Sequence, residues 1–167
     1  MKGYLRPDGR KGIRNTIVVA YLIECARHVA TEITFMFRDR DVHVIGFPGC
    51  FPNEYAFDMM SKLCTHPNVG AALLVSLGCE GFNREGLAEN IAASGRPVET
   101  LVIQQNGGTA ASIEKGGTWV SKQLEALAAQ QQVEMGIDEL VIGTICGGSD
   151  GTSGLSANPG MGRAFDL

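Results

Sequence analysis

The chain has 167 residues, 44% of them hydrophobic and 19% charged, a balance that belongs to a folded domain and not to a disordered one. Fourteen Lys and Arg against eighteen Asp and Glu leave a formal net charge of −4, which argues against wrapping nucleic acid or docking on an anionic membrane. No apolar run approaches the ~20 residues that span a bilayer and no secretory signal opens the chain, so a cytoplasmic location is expected.

Residues 1–15 are polar and turn-rich, with Arg6, Arg10, Lys11 and Arg14 around Asp8-Gly9, and read as an ordered arm. Residues 16–22 form an apolar, β-branched run without alternation, the pattern of a strand covered on both faces. Val29, Ile33 and Phe37 then recur at helical spacing. The alternation continues with strands at 42–47, 71–77 and 98–103 and helices at 54–64, 84–94 and 109–132, and a fifth strand is expected at 139–145. Strands alternating with helices predict an α/β fold: a three-layer, Rossmann-like domain over 16–145 with a mostly parallel five-stranded sheet. Residues 146–167 read as a Gly-rich loop and the start of a following, truncated domain, because few of them could bury large apolar area.

The 22 glycines gather after the apolar runs, where loops at the carboxyl ends of parallel strands converge on ligands. Four of the five cysteines fall there too: Cys25, Cys50, Cys79 and Cys146, whereas Cys64 lies within a helix. An odd number of thiols in a reducing compartment argues against a disulfide framework. The four are therefore candidate ligands of a soft or borderline metal, iron first, with plain packing and a catalytic thiol as the alternatives. No local CxxC pair exists, so a metal site depends on tertiary convergence.

Glu24, Glu80 and Asp150 share this rim and could bind a metal, pair with the arginines of the arm, or cap helices. Among the histidines, His28 is the one placed to face it; His43 lies in a strand and His66 opens a loop. Arg6, Arg10, Arg14 and Asn15 are candidate substrate-binding residues, on the expectation that the arm folds back over the cysteine-bearing edge to meet a carboxylate. Ser149 and Asp150, in the run after Cys146, suit a nest for a carboxylate or phosphate. That run lacks the Lys of a P-loop, which weakens a nucleotide reading.

The residues Gly3-Tyr4-Leu5-Arg6-Pro7-Asp8-Gly9-Arg10, Gly12-Ile13-Arg14-Asn15, His66-Pro67-Asn68-Val69, Leu77-Gly78-Cys79-Glu80-Gly81, Gly107-Gly108-Thr109 and Cys146-Gly147-Gly148-Ser149-Asp150-Gly151 with Ala157-Asn158-Pro159 together resemble the altronate/galactarate dehydratase family. The resemblance runs through the whole chain in order and corresponds to the family's central domain with the first residues of its carboxy-terminal domain. It implies a hydro-lyase that removes water from a sugar acid to leave a 2-keto-3-deoxy acid, with iron or another divalent metal as cofactor. A related two-subunit member expels sulfite from sulfolactate. Phe47-Pro48-Gly49-Cys50-Phe51-Pro52-Asn53 departs from the family's His-containing stretch ending in Gly-Cys-Gly: the Cys is kept, the His and second Gly are not. The implied partners are a small acidic sugar-derived substrate, a carboxy-terminal domain, a small amino-terminal domain or subunit, and a second copy of the chain. The base that takes the α-proton is not marked by any residue.

Overall fold

A computed structural model describes every residue except Cys146 and Leu167. Two compact units divide the chain, Met1–Ile137 and Asp138–Leu167. The division falls eight residues before the boundary expected at 145/146.

The first unit is built on a parallel sheet of four strands: β3 (Thr16–Tyr21), β4 (Val42–Gly46), β5 (Val69–Ser76) and β6 (Val98–Val102), in the order β4-β3-β5-β6. All three pairings are parallel. Two shorter strands at the amino terminus, β1 (Lys2–Leu5) and β2 (Lys11–Gly12), pair antiparallel with each other, and β7 (Val133–Glu134) adds to β1. What reads as an arm is thus a hairpin, tied down by the returning chain.

The unalternating runs are explained by burial on both faces. Ile17, Val19, Ala71, Leu73, Val75 and Leu101 point to one side, where α1 (Arg27–Phe35) and α4 (Thr109–Ala128) cover them with Val29, Ile33 and Val120. Val18, Ala20, Ala72 and Leu74 point to the other, against Met60 and Cys64 of α2 (Glu54–Cys64) and Leu87 and Ile91 of α3 (Arg84–Ala93). Every residue of β5 is buried. Such a strand satisfies its backbone through neighbours on both sides and contributes about 1.5–3 kcal/mol for each large apolar side chain it removes from water.

The expected fifth strand is not formed. Ile137–Glu139 is a 3-10 turn, and 140–145 carry no regular structure, with Val141 and Ile145 exposed. A β-branched run becomes a strand only where an edge pairs with it, and among the described residues none pairs with this one. The second unit contains a π-helical turn, Ser153–Ala157, and a helix, α5 (Asn158–Phe165). No helix among the described residues is long and apolar enough to cross a membrane.

Candidate functional site

Because β3, β4, β5 and β6 run parallel, the residues after each strand meet at one edge of the sheet and those before each strand meet at the opposite edge. In this order the chain turns back between β3 and β5, and the loops after these two strands diverge to opposite faces, which is where open α/β sheets take ligands. Three backbone bonds tie the carboxyl-edge loops together: Glu24 N–H to Pro48 O at 3.4 Å, Gly81 N–H to Cys50 O at 2.9 Å, and Gln104 N–H to Leu77 O at 3.1 Å.

Cys25, Cys50 and Cys79 occupy the loops after β3, β4 and β5, and all three are exposed at this edge. Cys146 lies outside the described residues. Cys64 is buried inside α2, and burial pushes its thiol up to about 12, as for a small apolar side chain with no chemistry at neutral pH. Among the described residues no three His, Cys, Asp or Glu side chains stand close enough together to hold a metal ion. The described residues therefore offer no ready-made donor set for the divalent metal that the resemblance implies.

Glu80 is a buried, hydrogen-bonded carboxylate at this edge. Its carboxylate is fully covered, accepts a very short hydrogen bond from the Ser76 hydroxyl and another from Gly78 N–H at 2.8 Å, and lies 3.9 Å from the Arg84 guanidinium. Burial alone would raise its pKa. The bonds from Ser76 and Gly78, with Arg84 nearby, outweigh that and lower it, so Glu80 is held as a carboxylate. Gly78 has φ +120°, a conformation that side chains rarely adopt, and this turns the loop sharply enough for the carboxylate to reach back to its N–H. The outcome is a hydrogen-bonded bracket beside which Cys79 is exposed to solvent. Glu80 pairs neither with the arm nor with a metal donor set. Ser76, the one hydroxyl closing an otherwise apolar strand, was the signal for this network, and sequence reading passed over it.

Beside the bracket is a cleft of about 320 Å³ between the amino ends of α2 and α3, lined by Pro52, Asn53, Phe57, Gly81, Phe82 and Asn83. Asn53 and Asn83 cap the two helices through their side-chain oxygens, to Ala56 N–H at 2.9 Å and Gly86 N–H at 3.0 Å. The Phe82 ring sits between Phe47 and Phe57 at centroid distances of 5.9 and 6.0 Å and closes the floor. Glu24 pairs with Arg27 at 3.0 Å, and His28 is exposed on α1.

The arm is at the other edge. Arg6 is buried and donates to Pro67 O, Asn15 Oδ1 and Arg14 O; Arg10 donates to Thr65 O and pairs with Asp8. Arg14 pairs with Asp41, just before β4, which also accepts from Thr16 and contacts His43. Burial works to raise the Asp41 pKa, but Arg14, Thr16 and His43 together bring it below the ordinary carboxylate value. Asn15 reaches Leu127 O and Gln130. The expectation that Arg6, Arg10, Arg14 and Asn15 lie over the cysteine-bearing edge is therefore corrected: the β1–β2 hairpin pairs with β7, Arg6 and Arg10 reach carbonyls that precede β5, and Arg14 reaches the carboxylate that precedes β4.

In the second unit Asp150 folds back on its own turn. Its Oδ1 accepts from Thr152 N–H at 2.7 Å, Thr152 Oγ1 at 2.6 Å and Ser153 N–H at 3.1 Å, a local capping arrangement that lowers its pKa. Ser149 precedes it in the same exposed turn.

Residues 3–128 match the family model "D-galactarate dehydratase/Altronate hydrolase, second domain", and residues 137–167 match "D-galactarate/Altronate dehydratase, C-terminal". The chain belongs to the galactarate/altronate dehydratase family. It is 27% identical over 98% of its length to the altronate dehydratase of Escherichia coli, and 30% identical over 98% to the (2R)-sulfolactate sulfo-lyase subunit beta of Chromohalobacter salexigens. A galactarate dehydratase (L-threo-forming) of Escherichia coli is 31% identical over 64% of the chain. The chain spans 35% of the length of that altronate dehydratase and 42% of the sulfo-lyase subunit. No solved structure matches it. The family boundary at 137 agrees with the structural division at 137/138.

Proposed function

We propose that this chain forms part of a hydro-lyase that removes water from a sugar acid of the altronate or galactarate type to leave a 2-keto-3-deoxy acid. The observation that carries the reading is family membership through residues 3–128 and 137–167, together with three exposed thiols in loops laced to one another at the carboxyl edge of the sheet. Removing a proton beside a carboxylate builds a dianion, and the departing β-hydroxyl needs an acid; both call for a polar, preorganised rim. Here the capped helix ends at Asn53 and Asn83 and the Glu80 bracket supply order. Donors for a divalent metal, and the α-proton base, would come with further residues, including Cys146 and the rest of the carboxy-terminal domain. A separate amino-terminal domain or subunit and a second copy of the chain belong to the same proposal, as does a cytoplasmic location.

The second reading is a sulfo-lyase acting on sulfolactate, favoured by the 30% identity to a sulfo-lyase subunit over nearly the whole chain. The protein purified anaerobically together with the rest of the carboxy-terminal domain and any partner subunit, with its metal content measured, should be given altronate, galactarate and sulfolactate in turn. A 2-keto acid trapped as a hydrazone from either sugar acid supports the first reading. Sulfite release from sulfolactate alone replaces it with the second, and turnover of none of the three overturns both.

A further inference from the structure

The amino edge holds a cleft of about 580 Å³ whose walls include Arg6, Arg96, Gly70, Gly95, Gln123 and Gln130. Arg6 and Arg96 are each only 3% exposed. Arg6 spends three of its five N–H groups on neutral acceptors, Pro67 O at 2.7 Å, Asn15 Oδ1 at 2.9 Å and Arg14 O at 2.9 Å. Arg96 donates to Val69 O at 3.0 Å and His66 O at 3.3 Å, and meets Asp8 at 3.3 Å. Asp8 is shared with Arg10 at 2.7 Å. Three guanidiniums thus gather around one carboxylate. The carbonyls orient them without balancing their charge, and a buried cation without a counter-charge is costly.

The electrostatics of the neighbourhood agree. Burial first, and Arg96 second, pull Arg6 down to about 10, which leaves it charged at neutral pH. Burial, Arg10 and Arg96 also lower His66 and favour its neutral imidazole, which offers the cluster no counter-charge. Asp8 is held down to about 2, chiefly by its bond to Arg10, and is ionised already. A fork of planar donors beside an open volume is the geometry that takes a carboxylate or phosphate.

We propose that this amino-edge cleft is a binding site for a small oxyanion, held by the Arg6 and Arg96 guanidiniums and distinct from the carboxyl-edge site. It stands apart from the lyase reading, since the two edges share no side chain. Melting temperature of the purified protein, followed against inorganic phosphate, against tartrate and against sodium chloride at matched ionic strength, tests it. A saturable rise with phosphate or tartrate beyond that with chloride is expected, and the more effective of the two identifies the anion class. Gln123→Glu puts a carboxylate on the wall of the cleft while leaving every arginine–carbonyl bond in place. It should melt higher than the parent without added anion and weaken half-saturation about tenfold or more. Equal responses to all three salts, or an undiminished response in Gln123→Glu, would overturn the proposal. Ala128→Glu, on the same helix but outside the cleft, should respond as the parent does.

Discussion

Glu80 shows how one side chain sets the chemistry available at the carboxyl edge. Its two carboxylate oxygens are matched to donors, Ser76 Oγ on one and Gly78 N–H on the other. An amide in the same place would turn its NH₂ toward one of them. Glu80→Gln should therefore cost about 1–3 kcal/mol of stability, the range for leaving a buried polar group unsatisfied, and urea unfolding measures it. The pH dependence has a definite sign. The pKa of Glu80 is depressed in the folded protein, so its stabilisation is present above the ordinary glutamate value of 4.5 and is lost as pH falls below that value through the folded pKa. The stability difference between parent and Glu80→Gln should accordingly shrink on acidification below that value. A difference that stays constant down to acid denaturation would show that the carboxylate charge is not what the bracket uses.

At the scale of elements, Asn53 and Gly12 mark two places where local sequence meets tertiary demand. Asn53 opens α2 by accepting from Ala56 N–H, and Asn53→Ala should cost about 1 kcal/mol. Gly12 lies in β2 where a Cβ would stand 2.1 Å from the Pro67 carbonyl oxygen, backbone that cannot step aside as a flexible side chain can. Gly12→Ala should therefore cost more than the cap, about 1–3 kcal/mol and upward, with thermal melts of both variants giving the order. The four central strands were legible because burial on both faces writes an unbroken apolar run into β3 and β5. Residues 139–145 write the same kind of run, yet strand formation depends on a partner edge, and that is a tertiary property no local window contains. The arm misled for a related reason: four cations near Asp8-Gly9 announce anion chemistry, but only the pairing of β1 with β2 and β7 decides which edge they reach. The loops of Cys25, Cys50 and Cys79 meet at one edge because strand ends follow directly from the strand pattern, whereas Cys146 lies outside the described residues. The Glu80 network needed the sharp turn at Gly78 as well, which spacing alone does not reveal.

The whole chain combines a well-buried first unit with a second that buries little. β5 is covered along its entire length, and β3 is buried at five of its six positions. From residue 138 onward none of the described residues is buried, and Leu155, Met161 and Phe165 are all exposed. Helix α5 has eight residues, with Pro159, Gly160 and Gly162 among them, whereas isolated helices shorter than ~12–15 residues are marginal in water even with better composition. Ordering each backbone residue costs about 1–2 kcal/mol, and the exposed apolar side chains of this unit return little of that. Hydrogen exchange on this chain should then separate the two units. Amides of β3 and β5 should exchange only through global unfolding, and those of 138–145 and 147–166 at rates close to an unstructured peptide. A chain cut after Ile137 should unfold at the same denaturant midpoint as the longer one. Equal protection across the 137/138 division, or a lowered midpoint on cutting there, would show that the second unit shares the cooperative core of the first.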